Sequence, residues 1–172
     1  MDDDPLGEHV KTVYAHFGLA VYLSQVLEHG LANAMLIFEL APNAMAVATP
    51  ITWPSRVDSF YEEQFQDTLG RLIRKLQKVA LVPPHLEQIL ARALDRRNWL
   101  SHHYFRERAT EFLSSAGRNT MIAELEEAQA LFQEADGALE AVSRPARERY
   151  GYSDALLTTI EEKMQTEAHD DL

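Results

Sequence analysis

The chain has 172 residues, of which 46% are hydrophobic, enough for one domain with a real core. It has no cysteine, which excludes disulfides, thiolate metal sites and cysteine nucleophiles, and its net charge is −11. That charge opposes a simple nucleic-acid-binding surface, but its distribution is uneven. Residues 71–118 carry ten Lys and Arg against four acids, whereas the remainder carries six against twenty-three. A basic middle between acidic ends reads either as solvated helix faces or as a local anion site in an otherwise repulsive protein.

The start, Met1-Asp2-Asp3-Asp4-Pro5, resembles neither a secretory signal, which opens basic and then apolar, nor a presequence, which avoids acids. No run of about 18 apolar residues exists to span a bilayer. The expectation is a cytoplasmic protein with no membrane partner.

The first predicted helix runs from about Gly7 to about Leu40. Val10, Val13, Tyr14, Phe17, Val21, Leu27, Leu31, Ala34 and Phe38 recur at helical spacing, and Leu19, Tyr22, Leu23 and Val26 widen the apolar stripe. A helix apolar over most of its circumference needs cover on more than one side, and self-association is one source of it. Ala41–Pro54, with Pro42, Pro50 and Pro54, reads as a loop. A second helix, capped by Ser55 or Asp58, runs to about Ala80, with Phe65, Leu69, Leu72, Ile73, Leu76 and Val79 inward.

Pro83-Pro84 opens a third helix with Leu86, Ile89, Leu90, Ala93 and Leu94 inward, and its pattern continues to near Gly117. Asn119 or Thr120 caps a fourth, with Ile122, Leu125, Leu131, Phe132, Leu139 and Val142 inward. Pro145 and Gly151 loosen the chain before a short helix capped by Ser153-Asp154 and an acidic tail. These elements predict an all-α, antiparallel bundle of four to five helices over residues 1–150, with residues 151–172 forming the short helix and tail.

The chemistry concentrates in Asp95-Arg96-Arg97-Asn98-Trp99-Leu100-Ser101-His102-His103-Tyr104-Phe105. Arg97 falls on the apolar stripe, three residues after Leu94, and a guanidinium there needs an anionic partner. Asn98 and His102 are four apart and share a helical face, so the amide can orient the imidazole. Arg97 and His102 are five apart, about 140° around an unbroken helix. One copy would present them on different sides, whereas a two-fold dimer could bring both pairs into one cleft. His103 points away from His102, and Arg96 reads as a solvated base. No Glu-x-x-His pair, glycine-rich phosphate loop or G-x-S-x-G is present, so no cofactor or metal is expected.

Arg97-Asn98-Trp99-Leu100-Ser101-His102 resembles the R-x4-H hallmark of the HEPN superfamily, all-α domains of many prokaryotic toxin and defence ribonucleases. With Tyr104 the segment is similar to the R-x4-H-x-Y of HEPN toxins paired with minimal nucleotidyltransferases. The resemblance is specific over about Leu94–Arg108 and elsewhere rests on the order of long helices. This chain is longer than compact toxins of that group.

The resemblance implies metal-independent RNA cleavage by a homodimer through a 2′,3′-cyclic phosphate. His102 would be the general acid or base, Arg97 the phosphate ligand, and Asn98 the residue orienting His102 or donating to phosphate. Arg96 and His103 would lie near the RNA. Tyr104 would be the hydroxyl that a nucleotidyltransferase-type antitoxin adenylylates. Two other readings stand beside it. One is a non-catalytic HEPN-like dimer that binds a nucleotide, RNA or partner protein. The other is an unrelated bundle in which Arg97 pairs with Asp67 or Glu63.

Overall fold

The structure is a computed structural model that describes residues 5–44, 53–151, 155, 158 and 159. Among these residues the secondary structure is entirely helical, and no helix is long and apolar enough to cross a membrane. The predicted helix after Ser153-Asp154 and the tail lie almost wholly outside the described residues, as does much of the predicted loop between Ala41 and Pro54.

Helix α1 spans Pro5–Met35 and continues through a wider, π-helical turn at Leu36–Leu40, where Ala41 N–H donates to the Leu36 carbonyl. The short helix α2, Ala41–Ala44, begins where the sequence predicts loop. Of the predicted stripe, Val13, Leu27, Leu31 and Ala34 are fully or almost fully buried and Val10, Phe17, Val21 and Phe38 half-buried, while Ala20 and Met35 join the core unpredicted. Tyr14 is the exception, at 52% exposure.

The predicted second helix is two. Helix α3, Trp53–Phe65, ends in a turn at Gln66–Asp67, and α4, Leu69–Val79, restarts from Thr68, whose backbone is extended (ψ 157°). Lys75 Nζ lies 2.6 Å from Asp67 Oδ2, and this ion pair, with Arg71 also near, holds the Asp67 carboxyl below its ordinary range. Leu69, Leu72, Ile73 and Leu76 supply α4's share of the core.

Helix α5, Pro84–His102, starts on a proline whose missing N–H costs nothing in the first helical turn. It stops at His103, where φ −130° and ψ −26° leave the helical region. The chain then makes two single turns, α6 at Tyr104–Glu107 and α7 at Ala109–Phe112. The third helix therefore ends about fifteen residues earlier than its apolar spacing predicts. Helix α8, Ser115–Arg149, is capped by Ser114, whose hydroxyl accepts the Gly117 N–H at 3.0 Å. It starts earlier than Asn119 and continues through Pro145 for four residues.

The element pairs fix the directions. His9 bonds Asn119, His16 bonds Gln129, and Gly30 abuts Asp136, so α1 and α8 run parallel. Arg97 meets Glu28 and Tyr104 meets Phe17, so the α5–α6 segment runs antiparallel to α1. Gln77 reaches Glu87 and Gly70 abuts Leu94, which makes α4 and α5 an antiparallel pair. The core lies among α1, α4, α5 and α8, with Tyr104 and Phe132 its largest fully buried side chains.

Candidate functional site

Helix α5 carries Arg96, Arg97, Asn98 and His102 on one continuous helix, so the rotation between Arg97 and His102 stays near the ~140° of ideal geometry. Arg97 turns toward α1. Its Nη2 lies 3.2 Å from Glu28 Oε1, and its Nη1 donates to Asn98 Oδ1 at 3.3 Å. The contact with Glu28 falls short of hydrogen-bond geometry, so the attraction is chiefly coulombic. With side-chain exposures of 28% and 24%, the pair is half-buried and reachable from solvent. The anionic partner that the apolar stripe demands is therefore Glu28, and neither Asp67 nor Glu63. Glu63, like Asp67, lies beside Lys75.

His102 ends α5 and is exposed. Asn98 is exposed one turn back, but its amide oxygen is engaged by Arg97. His103 is also exposed, and its Nδ1 lies 3.0 Å from Arg106 Nη2.

Arg96 is less free than a solvated base. Its guanidinium carbon sits 5.1 Å from the Trp99 ring centroid, and that of Arg108 sits 5.2 Å from the same ring. Trp99 Nε1 donates to Glu107 at 2.8 Å, while Arg108 makes two bonds to Glu124, at 2.8 and 2.7 Å. Trp99 is thus the hub of a cation–aromatic cluster that ties α5 to α6 and α8, a role its position beside Asn98 did not reveal.

Tyr104 is only 1% exposed. Its hydroxyl donates to the Met121 carbonyl at 3.0 Å, and its ring stacks on Phe17 and meets Trp99 edge-on. Burial, with Glu124 nearby, pushes the phenol well above its ordinary 10.0. A buried hydroxyl already donating to the backbone offers no nucleophile to a modifying enzyme. Tyr104, expected as the regulatory hydroxyl, thus lies in the core and packs α6 against α1 and α8.

Next to this segment lies an uncovered aromatic face. Tyr14 contacts both Phe105 and Phe112 at 5.8 Å between centroids, and Phe105 contacts Phe17 at 4.9 Å. Tyr14, Leu19, Tyr22 and Phe105 remain exposed, and a Cβ built on Gly18 between the two tyrosines meets nothing. Among the described residues, Tyr14, Leu19 and Tyr22 leave an exposed apolar strip along about two and a half turns of α1. The sequence signalled this through the excess apolar residues of the first helix.

The fold and this segment define an all-α helical bundle with exposed histidines at the end of one helix, bordered by cations and an open aromatic face. Comparison with protein-family models, curated proteins and solved structures finds no match.

Proposed function

We propose that the protein is a HEPN-like, metal-independent endoribonuclease that acts as a homodimer. One observation carries the reading. Arg97 and His102 share an unbroken helix yet face different ways, beside an uncovered aromatic surface suited to a second copy. A two-fold pairing through Tyr14, Tyr22 and Phe105 would cover that surface and set His102 of one copy toward Arg97 of the other.

In this reading His102 removes the ribose 2′-hydroxyl proton. The freed oxygen attacks phosphorus, the bond from phosphorus to the 5′-oxygen breaks as that oxygen takes a proton from solvent, and a 2′,3′-cyclic phosphate results. Arg97 exchanges Glu28 for the scissile phosphate and holds the charge that grows on it with its planar fork of donors. Asn98 positions the guanidinium it already touches. Arg96 and His103 meet flanking phosphates. Control through Tyr104 forms no part of this reading, and any nucleotidyltransferase-type antitoxin would have to act elsewhere.

A second reading is favoured by the same ion pair. Glu28 occupies the Arg97 guanidinium, which suits a non-catalytic dimeric module whose Arg97 organises the fold and whose exposed cations bind RNA, a nucleotide or a partner.

One set of RNA digests in excess EDTA separates the two. Wild type should cleave and yield cyclic phosphate ends. Arg97→Ala and His102→Ala should each lose roughly 10²-fold or more, the scale of removing a donor to developing charge. Arg97→Lys should recover little, since an ammonium cannot reproduce the fork. Binding without cleavage by wild type selects the module. Cleavage that needs a metal, or equal cleavage by wild type and Arg97→Ala, rejects the mechanism.

A further inference from the structure

Beyond the cation–aromatic segment, a cavity of about 750 Å³ opens between the second half of α1, α3 and the C-terminal half of α8. Its size falls among small-molecule sites, which are mostly apolar with a few placed polar groups. The walls fit that description. Val26, Ala34, Leu36, Ile37 and Leu139 supply apolar surface, and the π-helical turn at Leu36–Leu40 forms one side. Such turns in otherwise regular helices recur at functional sites.

Among the described residues, acids outnumber bases on the wall. Asp58, Asp136 and Glu140 face Arg147 and His29. Glu140 is committed, with Oε1 2.7 Å from Arg147 Nη2 and 3.7 Å from Arg144 Nε. Asp136 is half-buried, and among the described residues it has neither a hydrogen bond nor an ion pair. It stands one turn before Glu140 on the same face, and both burial and that like charge raise its carboxyl above the ordinary value. Gly30 of α1 makes room for it, since a Cβ there would lie 2.6 Å from Asp136 Oδ1. The chain thus holds an uncompensated carboxylate against a bare stretch of backbone at an apolar cavity. Tyr61, whose hydroxyl donates to Asn33 Oδ1 at 2.6 Å, and Tyr150 add aromatic surface.

We propose that this cavity binds a small organic cation with an apolar body, its ammonium against Asp136 and its body along Leu36, Ile37 and Leu139. An ammonium would supply the charge that Asp136 lacks, and the aromatic walls favour a cation over an anion.

The test uses tryptamine, its neutral counterpart tryptophol and the anion indole-3-propionate, each titrated calorimetrically into the full-length chain. Tryptamine should bind once per protomer and about tenfold or more tighter than tryptophol, the margin of a charge-assisted over a neutral hydrogen bond. Indole-3-propionate should not bind. Asp136→Asn keeps the side chain's shape and should bring tryptamine down to the affinity of tryptophol, leaving tryptophol unchanged. Ile37→Trp, which fills the cavity, should abolish binding of both. Equal binding of tryptamine and tryptophol to wild type, no binding of tryptamine, or full tryptamine binding by Asp136→Asn would overturn the proposal. None of these readouts depends on RNA cleavage.

Discussion

Replacing Tyr104 by Phe removes one hydroxyl from the centre of the bundle and nothing else. The lost bond is neutral, 3.0 Å long and fully buried, which sets its net worth at about 1 kcal/mol. Met121 lies inside α8, where the helical ladder still supplies its carbonyl with a partner, so no larger penalty for an orphaned acceptor applies. The ring contacts with Phe17 and Trp99 survive. For a chain of this length the melting temperature should fall by about 2–4 °C at pH 7. Tyr104→Ala, which also empties the ring's volume, should cost about 3–5 kcal/mol.

The pH dependence gives an independent check. The folded phenol is held above its ordinary 10.0 whereas the unfolded one is not, so above that pH the unfolded chain binds fewer protons. The stability that wild type draws from this phenol is intact below pH about 10 and drains away as pH rises further. Tyr104→Phe has no such proton, so its deficit should shrink and then reverse in alkali. Thermal melts of both proteins from pH 7 to 11, followed by circular dichroism, measure the difference. Identical melting of the two at every pH would refute both the hydrogen bond and the burial, and would return Tyr104 to the surface.

Gly117→Ala should destabilise by several kcal/mol, as severe overpacking does, because the new Cβ would lie 2.1 Å from the Glu111 carbonyl oxygen, a backbone atom with little room to move; urea denaturation measures it. His102→Ala alters an exposed side chain and should change stability by no more than about 0.5 kcal/mol in the same assay. Tyr22→Glu should leave the melting temperature of dilute protein unchanged, since this residue is 60% exposed, and should convert the proposed dimer to monomer in sedimentation. Asp136→Asn should raise the melting temperature at pH 7, because burial disfavours the carboxylate. The gain should fade as pH falls to about 3, where both folded and unfolded Asp136 are protonated.

The all-helical fold was legible because long stretches keep one period. Val13, Leu27 and Leu31, or Leu125, Phe132 and Leu139, are buried as their spacing requires. Breaks without glycine or proline were not legible. The apolar spacing runs on through Leu100, Tyr104 and Phe112, so nothing in the pattern marks the kink at His103. The cap that starts α8 is Ser114, five residues before the expected Asn119. Pro145 misled in the other direction: late in a helix that packs well, one missing donor does not end it.

At the site, the demand that Arg97 find an anion was readable, but the choice of Glu28 over Asp67 or Glu63 depends on which helices pack together. The burial of Tyr104 agrees with its place on the apolar stripe, four residues after Leu100. The cavity was not legible at all, since its walls come from three separated helices and a change of helical pitch.

The parallel pairing of α1 with α8 also bears on how the chain acquires its shape. The contacts that join them, such as His9 with Asn119 and His16 with Gln129, span 110 and 113 residues of sequence. Helical bundles with local contacts fold fast, but here the longest interface forms only after a large loop has closed. During synthesis at about 5–20 residues per second, α1 would emerge about 5–20 seconds before its partner. Through that interval its inner stripe meets the helices before α8 but lacks α8 itself. Refolding from denaturant should therefore populate a compact intermediate lacking the α1–α8 contact, and chains refolded at high concentration should aggregate through α1.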